Sequence, residues 1–278
     1  RVFPLEHSSS IILKALDEEL EKQGVIVECN VNISEIKKDE ISAGFDEKGN
    51  MITWYSKPYY KEHFKQLGLS VEKEYQESIF SFSNIDPTTF QKFSELVKQR
   101  YNLKSLNFTK TKDIMPYVDK MFDLFNETYS KLQSFVPIND IQKNYFKKKY
   151  ISFINPEFIK FIMDKNDNMI AFAIVMPGFA QALKKANGKL FPFGFYHLLQ
   201  ARKHSKEVVF YLIGVTPEYQ SKGVTAIIFD EYYKVCQAKG IETCIRTPEL
   251  EENHAIHNLW KNFNTRVNKR RRTYRKEL

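Results

Sequence analysis

The sequence predicts an α/β protein, and three observations carry that reading. Stretches with apolar residues at helical spacing alternate with short β-branched runs along most of the chain. Two apolar runs, Phe158 to Met163 and Met169 to Met176, flank Asp164-Lys165-Asn166-Asp167-Asn168, a hairpin-type connection. A third run, Val208 to Val215, leads through Pro217 into an amphipathic helix from about Lys222 to Lys239, which Gly240 stops.

The remaining elements follow in order. Ile11 to Gln23 reads as an amphipathic helix, with Ile12, Leu13, Leu16 and Leu20 on one face and Gly24 at its end. Val25 to Val27 begins a short strand. Pro58 to Leu67 is a second helix, with Pro near its first turn and Gly68 beyond its end. The stretch Ser83-Asn84-Ile85-Asp86-Pro87-Thr88-Thr89 is rich in turn residues and marks a boundary near residue 85. Beyond it, Thr89 to Arg100 reads as helix and Leu103 to Thr109 as extended. Asp113 to Gln133 and Ile138 to Tyr150 are two further helices. After the hairpin, residues 177 to 206 mix helical and turn signals around several aromatics. Ile241 to Arg246 is a strand and Asn253 to Phe263 a final helix.

Composition bounds the class of protein. The chain has 278 residues, 42% hydrophobic and 27% charged, which suits a globular fold with a sizeable core. Its apolar runs fall well short of the roughly 20 residues a membrane helix needs, so no membrane partner is expected. Three cysteines (Cys29, Cys236 and Cys244) without CxxC spacing indicate neither a disulfide framework nor a zinc knuckle, and a cytoplasmic setting is the default. The net charge is +8, concentrated in a basic stretch from Arg266 to Lys276 that has no acid. Such a stretch suits an anionic partner or a solvated sheet edge; nucleic acid is disfavoured, because no groove-reading helix or stacking platform accompanies it.

The stretch Val208 to Thr225 carries the chemistry. A helix that begins at Gly223 points unpaired N–H groups and its positive end forward, where phosphates are favoured ligands. Gln220-x-x-Gly223, following Val215-x-Pro217, resembles the acyl-CoA-binding motif of the GNAT acyltransferase superfamily. Asn253 with Leu259-Trp260 resembles the family's helix opening after its fifth strand. The resemblance covers roughly residues 101 to 278 and implies a mixed sheet flanked by helices, with acetyl-CoA as cosubstrate. It implies cofactor contacts from Ile213, Gly214 and Val215, from the loop residues Gln220, Ser221, Lys222, Gly223, Val224 and Thr225, and from Asn253. Thr225 stands where the family usually has Gly or Ala. Trp260 stands where it often has a Tyr that protonates the departing thiolate, and an indole cannot act as an acid near neutral pH.

The first residues are also similar to such a unit. Lys57-Pro58-Tyr59-Tyr60 to Gly68-Leu69 resembles the end of a GNAT domain, so residues 1–85 are expected to be the C-terminal half of a first copy and 86–278 an acyl-CoA-binding copy. For the proton on an attacking amine, Glu207 is the first candidate, sharing a strand face with Val209, Tyr211 and Ile213. Glu127 is a second, and Tyr211 could orient the substrate. His254 and His257 stand at i, i+3 without a completing ligand pattern, so no metal is expected. The alternative is a catalytically silent GNAT-like module that meets an acidic partner or nucleic acid through its basic C-terminus.

Overall fold

The computed structural model describes residues 29–33, 45–53, 55–131, 135–151, 154–253, 256–257 and 260–276. The helix expected over 11–23 and the strand over 25–27 lie outside them. Among the described residues, eight strands form one sheet. They are β1 (Cys29–Ile33), β2 (Ser70–Ser81), β3 (Lys104–Leu106), β4 (Ile159–Met163), β5 (Met169–Pro177), β6 (Glu207–Val215), β7 (Thr243–Leu250) and β8 (Arg266–Arg275), in the order β1-β8-β2-β7-β6-β5-β4-β3. Every neighbouring pair is antiparallel except β6 and β7, which run parallel and are joined by a helical crossover. The sheet is therefore mixed.

Among the described residues the helices are α1 (Tyr60–Gln66), α2 (Pro87–Tyr101), α3 (Thr111–Ile114), α4 (Val118–Tyr129), α5 (Asp140–Phe146), α6 (Ala180–Lys185), α7 (Gly194–His204) and α8 (Val224–Ala238). Local chemistry sets several of their ends. Asp86 caps α2 by accepting from the Thr88 amide at 3.0 Å, with Pro87 as first helical residue. Asn139 and Gln142 form a capping box at α5. The single helix expected over 113–133 is instead divided: a 3₁₀ turn at Met115–Tyr117, holding Pro116 with no N–H to give, separates α3 from α4. The hairpin after β4 closes as its residues suggest, with Asp164 Oδ1 accepting from the Asn166 and Asn168 amides, both at 2.8 Å.

Two apolar layers sandwich the middle of the sheet. On one face Ile227, Ile228 and Tyr232 of α8 pack with Phe158, Val208 and Phe210. On the other, Met121, Phe122 and Leu124 of α4 pack with Phe161, Phe172 and Ile174. Strand β5 lies between both layers and is buried along its whole length, which explains its unbroken apolar sequence.

The turn near residue 85 joins β2 to α2 within this one body. β2 enters the sheet between β7 and β8, pairing Phe80 with Cys244 and Glu74 with Arg272. Phe80 and Ile85 belong to the same cluster as Trp260 and Phe263. β8 carries most of the basic stretch and is an interior strand of the sheet. Its arginines and lysine meet carboxylates of the same chain: Lys269 bonds Glu77, Arg272 bonds Glu74, and Arg270 lies 2.5 Å from Glu251. The basic row and the acidic row of β2 are thus cross-strand partners.

Candidate acyl-CoA site

The site is built where β6 and β7 part. Their ladder covers only Glu207↔Thr243 to Phe210↔Arg246. At that level both strands are irregular. In β6, Ile174 of β5 pairs with Leu212 and Val175 with Phe210, which leaves Tyr211 as an extra residue. In β7, Gln76 of β2 pairs with Glu249 and Ser78 with Arg246, so Thr247 and Pro248 face the single Glu77. Pro248 has no N–H to offer a parallel neighbour, so the ladder stops there. Adjacent bulges at one height open a wedge-shaped gap along residues 211–215.

The backbone of β6 lines that gap. The Ile213 carbonyl accepts from the Tyr129 hydroxyl at 3.0 Å, and the Val215 carbonyl from Gln220 Nε2 at 3.2 Å. Within a strand, a residue's N–H points to the same side as its C=O, so the amides of Ile213 and Val215 also face the gap. Gly214 between them is held by close packing: a Cβ there would stand 2.3 Å from Phe172 Cε1 and 2.8 Å from Thr128 Oγ1. Burial pushes the Tyr129 phenol up to about 12, so it stays a neutral donor.

Beyond Val215, the Thr216 amide returns to the Ile170 carbonyl at 2.9 Å, and a 3₁₀ turn over Pro217–Tyr219 leads to Gln220. Gly223 then takes φ +76°, the left-handed region, and caps α8. A Cβ on it would lie 2.8 Å from Phe93 Cε1, so bare backbone is required on two counts. Gln220 and Ser221 are exposed, Lys222 and Thr225 half-buried, and Val224 buried. Lys222 Nζ lies 3.1 Å from Glu218 and 4.3 Å from the centre of the Tyr219 ring. The loop therefore presents a helix N-terminus, one lysine and an approachable glycine backbone. These features fit a pyrophosphate.

Across the gap stands a polar cluster that the sequence did not reveal. Glu249 accepts from Trp260 Nε1 at 2.9 Å and from both Nε and a terminal nitrogen of Arg246, while His257 Nδ1 lies 3.7 Å away. Gln76 Nε2 lies 3.0 Å from the same His257 nitrogen. Burial raises the Glu249 carboxyl above its usual range, with Arg246 pulling the other way. Trp260 is 2% exposed and packed against Phe210, Phe229 and Phe263, so its indole anchors the carboxylate from within the core. Pro248 within an otherwise extended run is the one hint that something unusual stands beside Glu249.

The other expected residues are distributed as follows. Asn253 opens a helical turn, its Oδ1 accepting from the Ile256 amide at 3.2 Å. Tyr211 is the bulged residue, and its carbonyl accepts from Thr247 Oγ1 at 3.4 Å. Glu207 lies at the paired end of β6, roughly 20 Å along the strand from Ile213. There it meets Lys48 Nζ at 3.1 Å and lines a cavity of about 400 Å³ with Gly178, Lys185, His197 and His204. Glu127 is exposed on α4. His254 lies outside the described residues, and among the described residues no group of three His, Cys, Asp or Glu could hold a metal ion.

No family model matches the chain. Among curated proteins it is 23% identical over 246 residues to Protein YghO of Escherichia coli strain K12, covering 84% of this chain and spanning 61% of that protein's length. Among solved structures it resembles a GCN5-related N-acetyltransferase from Sphaerobacter thermophilus, with a TM-score of 0.57 at 9% identity over 98% of this chain and 69% of that one. It also resembles a tandem GNAT protein from the clavulanic acid biosynthesis pathway, with a TM-score of 0.53 at 10% identity over 100% of this chain and 73% of that one. A third neighbour is a glucosamine N-acetyltransferase region of a fungal multi-domain beta-N-acetylglucosaminidase, with a TM-score of 0.54 at 10% identity, covering 96% of this chain and 27% of that one. The chain has the GNAT fold.

Proposed function

We propose that this chain is an acyl-CoA-dependent N-acyltransferase that moves an acetyl group from acetyl-CoA to an amine by direct attack. The observation that supports it most is the gap between β6 and β7, opening beside a helix that starts at a left-handed glycine. Residues 220 to 225 would hold the CoA phosphates, Ile213 to Val215 would line the arm, and Asn253 would close the other side. Bound acyl-CoA would supply an activated thioester.

The chain's own groups supply the rest. The gap-facing amides of Ile213 and Val215 are fixed donors for an oxygen that gains negative charge, and they need no reorganisation. Glu249 is the carboxylate beside the gap, and its raised pKa suits a group that accepts a proton from an amine. Glu207, at the paired end of β6 and roughly 20 Å from Ile213, would stand too far away to touch the attacking amine, and its carboxylate pairs with Lys48. Trp260 cannot protonate a thiolate, but a thiol of pKa about 8.5 leaves tolerably without that help. Residues 1–85 would descend from the second half of an earlier GNAT unit, with β2 now shared by the sheet.

Calorimetric titration with acetyl-CoA tests the assignment, alongside Gly223→Glu, which sets bulk and negative charge against the pyrophosphate. Binding by the native chain and its loss in the variant is the expected result. Equal binding, or none by either, would end the cofactor reading. Thiol release over a broad amine panel then separates an enzyme from a silent module. The silent reading draws on Trp260 and on Tyr129, which already occupies the Ile213 carbonyl. It loses ground because the basic C-terminal strand is engaged with Glu74, Glu77 and Glu251.

A further inference from the structure

The segment from Pro177 to Lys206 contains no Asp or Glu, while it holds Lys184, Lys185, Lys189, Arg202, Lys203 and Lys206. The same segment displays Leu190, Phe191, Phe193, Phe195, Tyr196 and Leu199, all exposed, with Phe191 at 78% and Phe193 at 71%. Large apolar side chains this open, grouped in one place, mark a contact surface. Their exposure is built in. The loop between α6 and α7 closes on its own backbone, with the Lys189 amide donating to Ala186 and the Phe195 amide to Leu190, both at 2.9 Å. Gly194 permits that closure, since a Cβ there would stand 1.8 Å from the Lys189 carbonyl oxygen. Phe191 and Phe193 therefore stand at the tip instead of folding onto the core. On α7, Phe195, Leu199 and Lys203 follow at i, i+4 and i+8 and so share a face.

We propose that this loop and α7 dock peripherally on a bilayer surface bearing anionic lipid headgroups. Rings and leucines would enter the headgroup boundary while the exposed lysines at 184, 185, 189 and 203 meet the negative charge. Charge decides against a second copy of this chain as the occupant, because a twofold contact would set these lysines against one another. Among the described residues no helix is long and apolar enough to cross a membrane, so the contact rests on the interface alone. The docking face lies at the Glu207 end of β6, whose nine residues place it roughly 26 Å from the Gly223 loop. Docking leaves that loop open.

The test is co-sedimentation of the full chain with vesicles of phosphatidylcholine alone and of phosphatidylcholine mixed with phosphatidylglycerol. Binding is expected only to the mixed vesicles and should weaken steeply with salt. Phe191→Ala with Phe193→Ala should lower it at least about tenfold, and Lys189→Gln or Lys203→Gln about fivefold each. None of these variants should alter thermal unfolding or acetyl-CoA titration, so their effect stands apart from the acyltransferase reading. No binding to mixed vesicles, equal binding to neutral ones, or binding that survives the double Phe change overturns the proposal. A dimer in sedimentation velocity that the double change dissolves, without vesicle binding, overturns it in favour of self-association.

Discussion

Replacing Gly223 with Ala isolates the backbone requirement at the entry to α8. The left-handed φ of +76° costs an alanine about 1 kcal/mol or more. The new Cβ would also stand 2.8 and 3.0 Å from Phe93 Cε1 and Cζ and 3.3 Å from Val97 Cγ2. Comfortable carbon contacts begin near 3.5 Å, so the Phe93 ring must swing, at a cost of about 1 kcal/mol. Together the change should destabilise the fold by about 2 kcal/mol, or roughly 4 °C in Tm for a chain of this size. Phe93 is 49% exposed and can itself be truncated, which allows a double-mutant cycle by urea unfolding. In a Phe93→Ala background the steric part disappears and the penalty should fall to about 1 kcal/mol. A Gly223→Ala protein as stable as the native one would refute the left-handed assignment. An identical cost in both backgrounds would refute the contact with Phe93.

Three further outcomes follow from the same structure. Glu231 accepts from Ser105, Asn107 and Lys98 at 2.7, 2.8 and 3.0 Å, which holds its carboxyl at about 2 against a usual 4.5 and represents about 3 kcal/mol of stability near neutral pH. That contribution is complete above the unfolded value and fades as pH falls toward 2, so the urea-measured gap between native and Glu231→Gln should shrink by about half near pH 3; a pH-independent gap refutes the linkage. If Glu249 accepts the amine's proton, Glu249→Gln should lower kcat/KM by about 10²-fold, and full activity in that variant would remove it from the mechanism. Gly214→Ala should destabilise by about 1–3 kcal/mol through overpacking against Phe172 and Thr128, with partial rescue by Phe172→Leu in thermal unfolding; an unaffected Tm refutes the close approach.

Much of the site's position was legible because its signals are local. The apolar run of β6, the Pro217 turn, Gly223 and the one-sided face of α8 all lie within thirty-odd consecutive residues, and each follows from spacing or backbone freedom. The hairpin around Asp164 was legible for the same reason. Glu249 was not, because its place beside the gap depends on where two strands separate. That separation comes from the registers of Tyr211 against β5 and of Pro248 against β2, and register belongs to a pair of strands. The strand expected to end at Arg246 runs on to Leu250, with Pro248 held in a bulge inside it. The basic run was misleading taken alone, since its partners Glu74 and Glu77 lie far away in sequence on β2.

The seating of β2 between the last two strands also sets a timetable for synthesis. The Ser81 hydroxyl bonds the Glu242 carbonyl across 161 positions of sequence. A ribosome adds about 5–20 residues each second, so the early strand waits roughly ten to thirty seconds before either neighbour has emerged. During that interval both of its edges are open, and its three glutamates and one lysine (Glu72, Lys73, Glu74, Glu77) keep those edges hydrated and averse to pairing with another nascent copy. The charges that later meet the arginines of β8 thus serve first as a chaperone written into the strand itself.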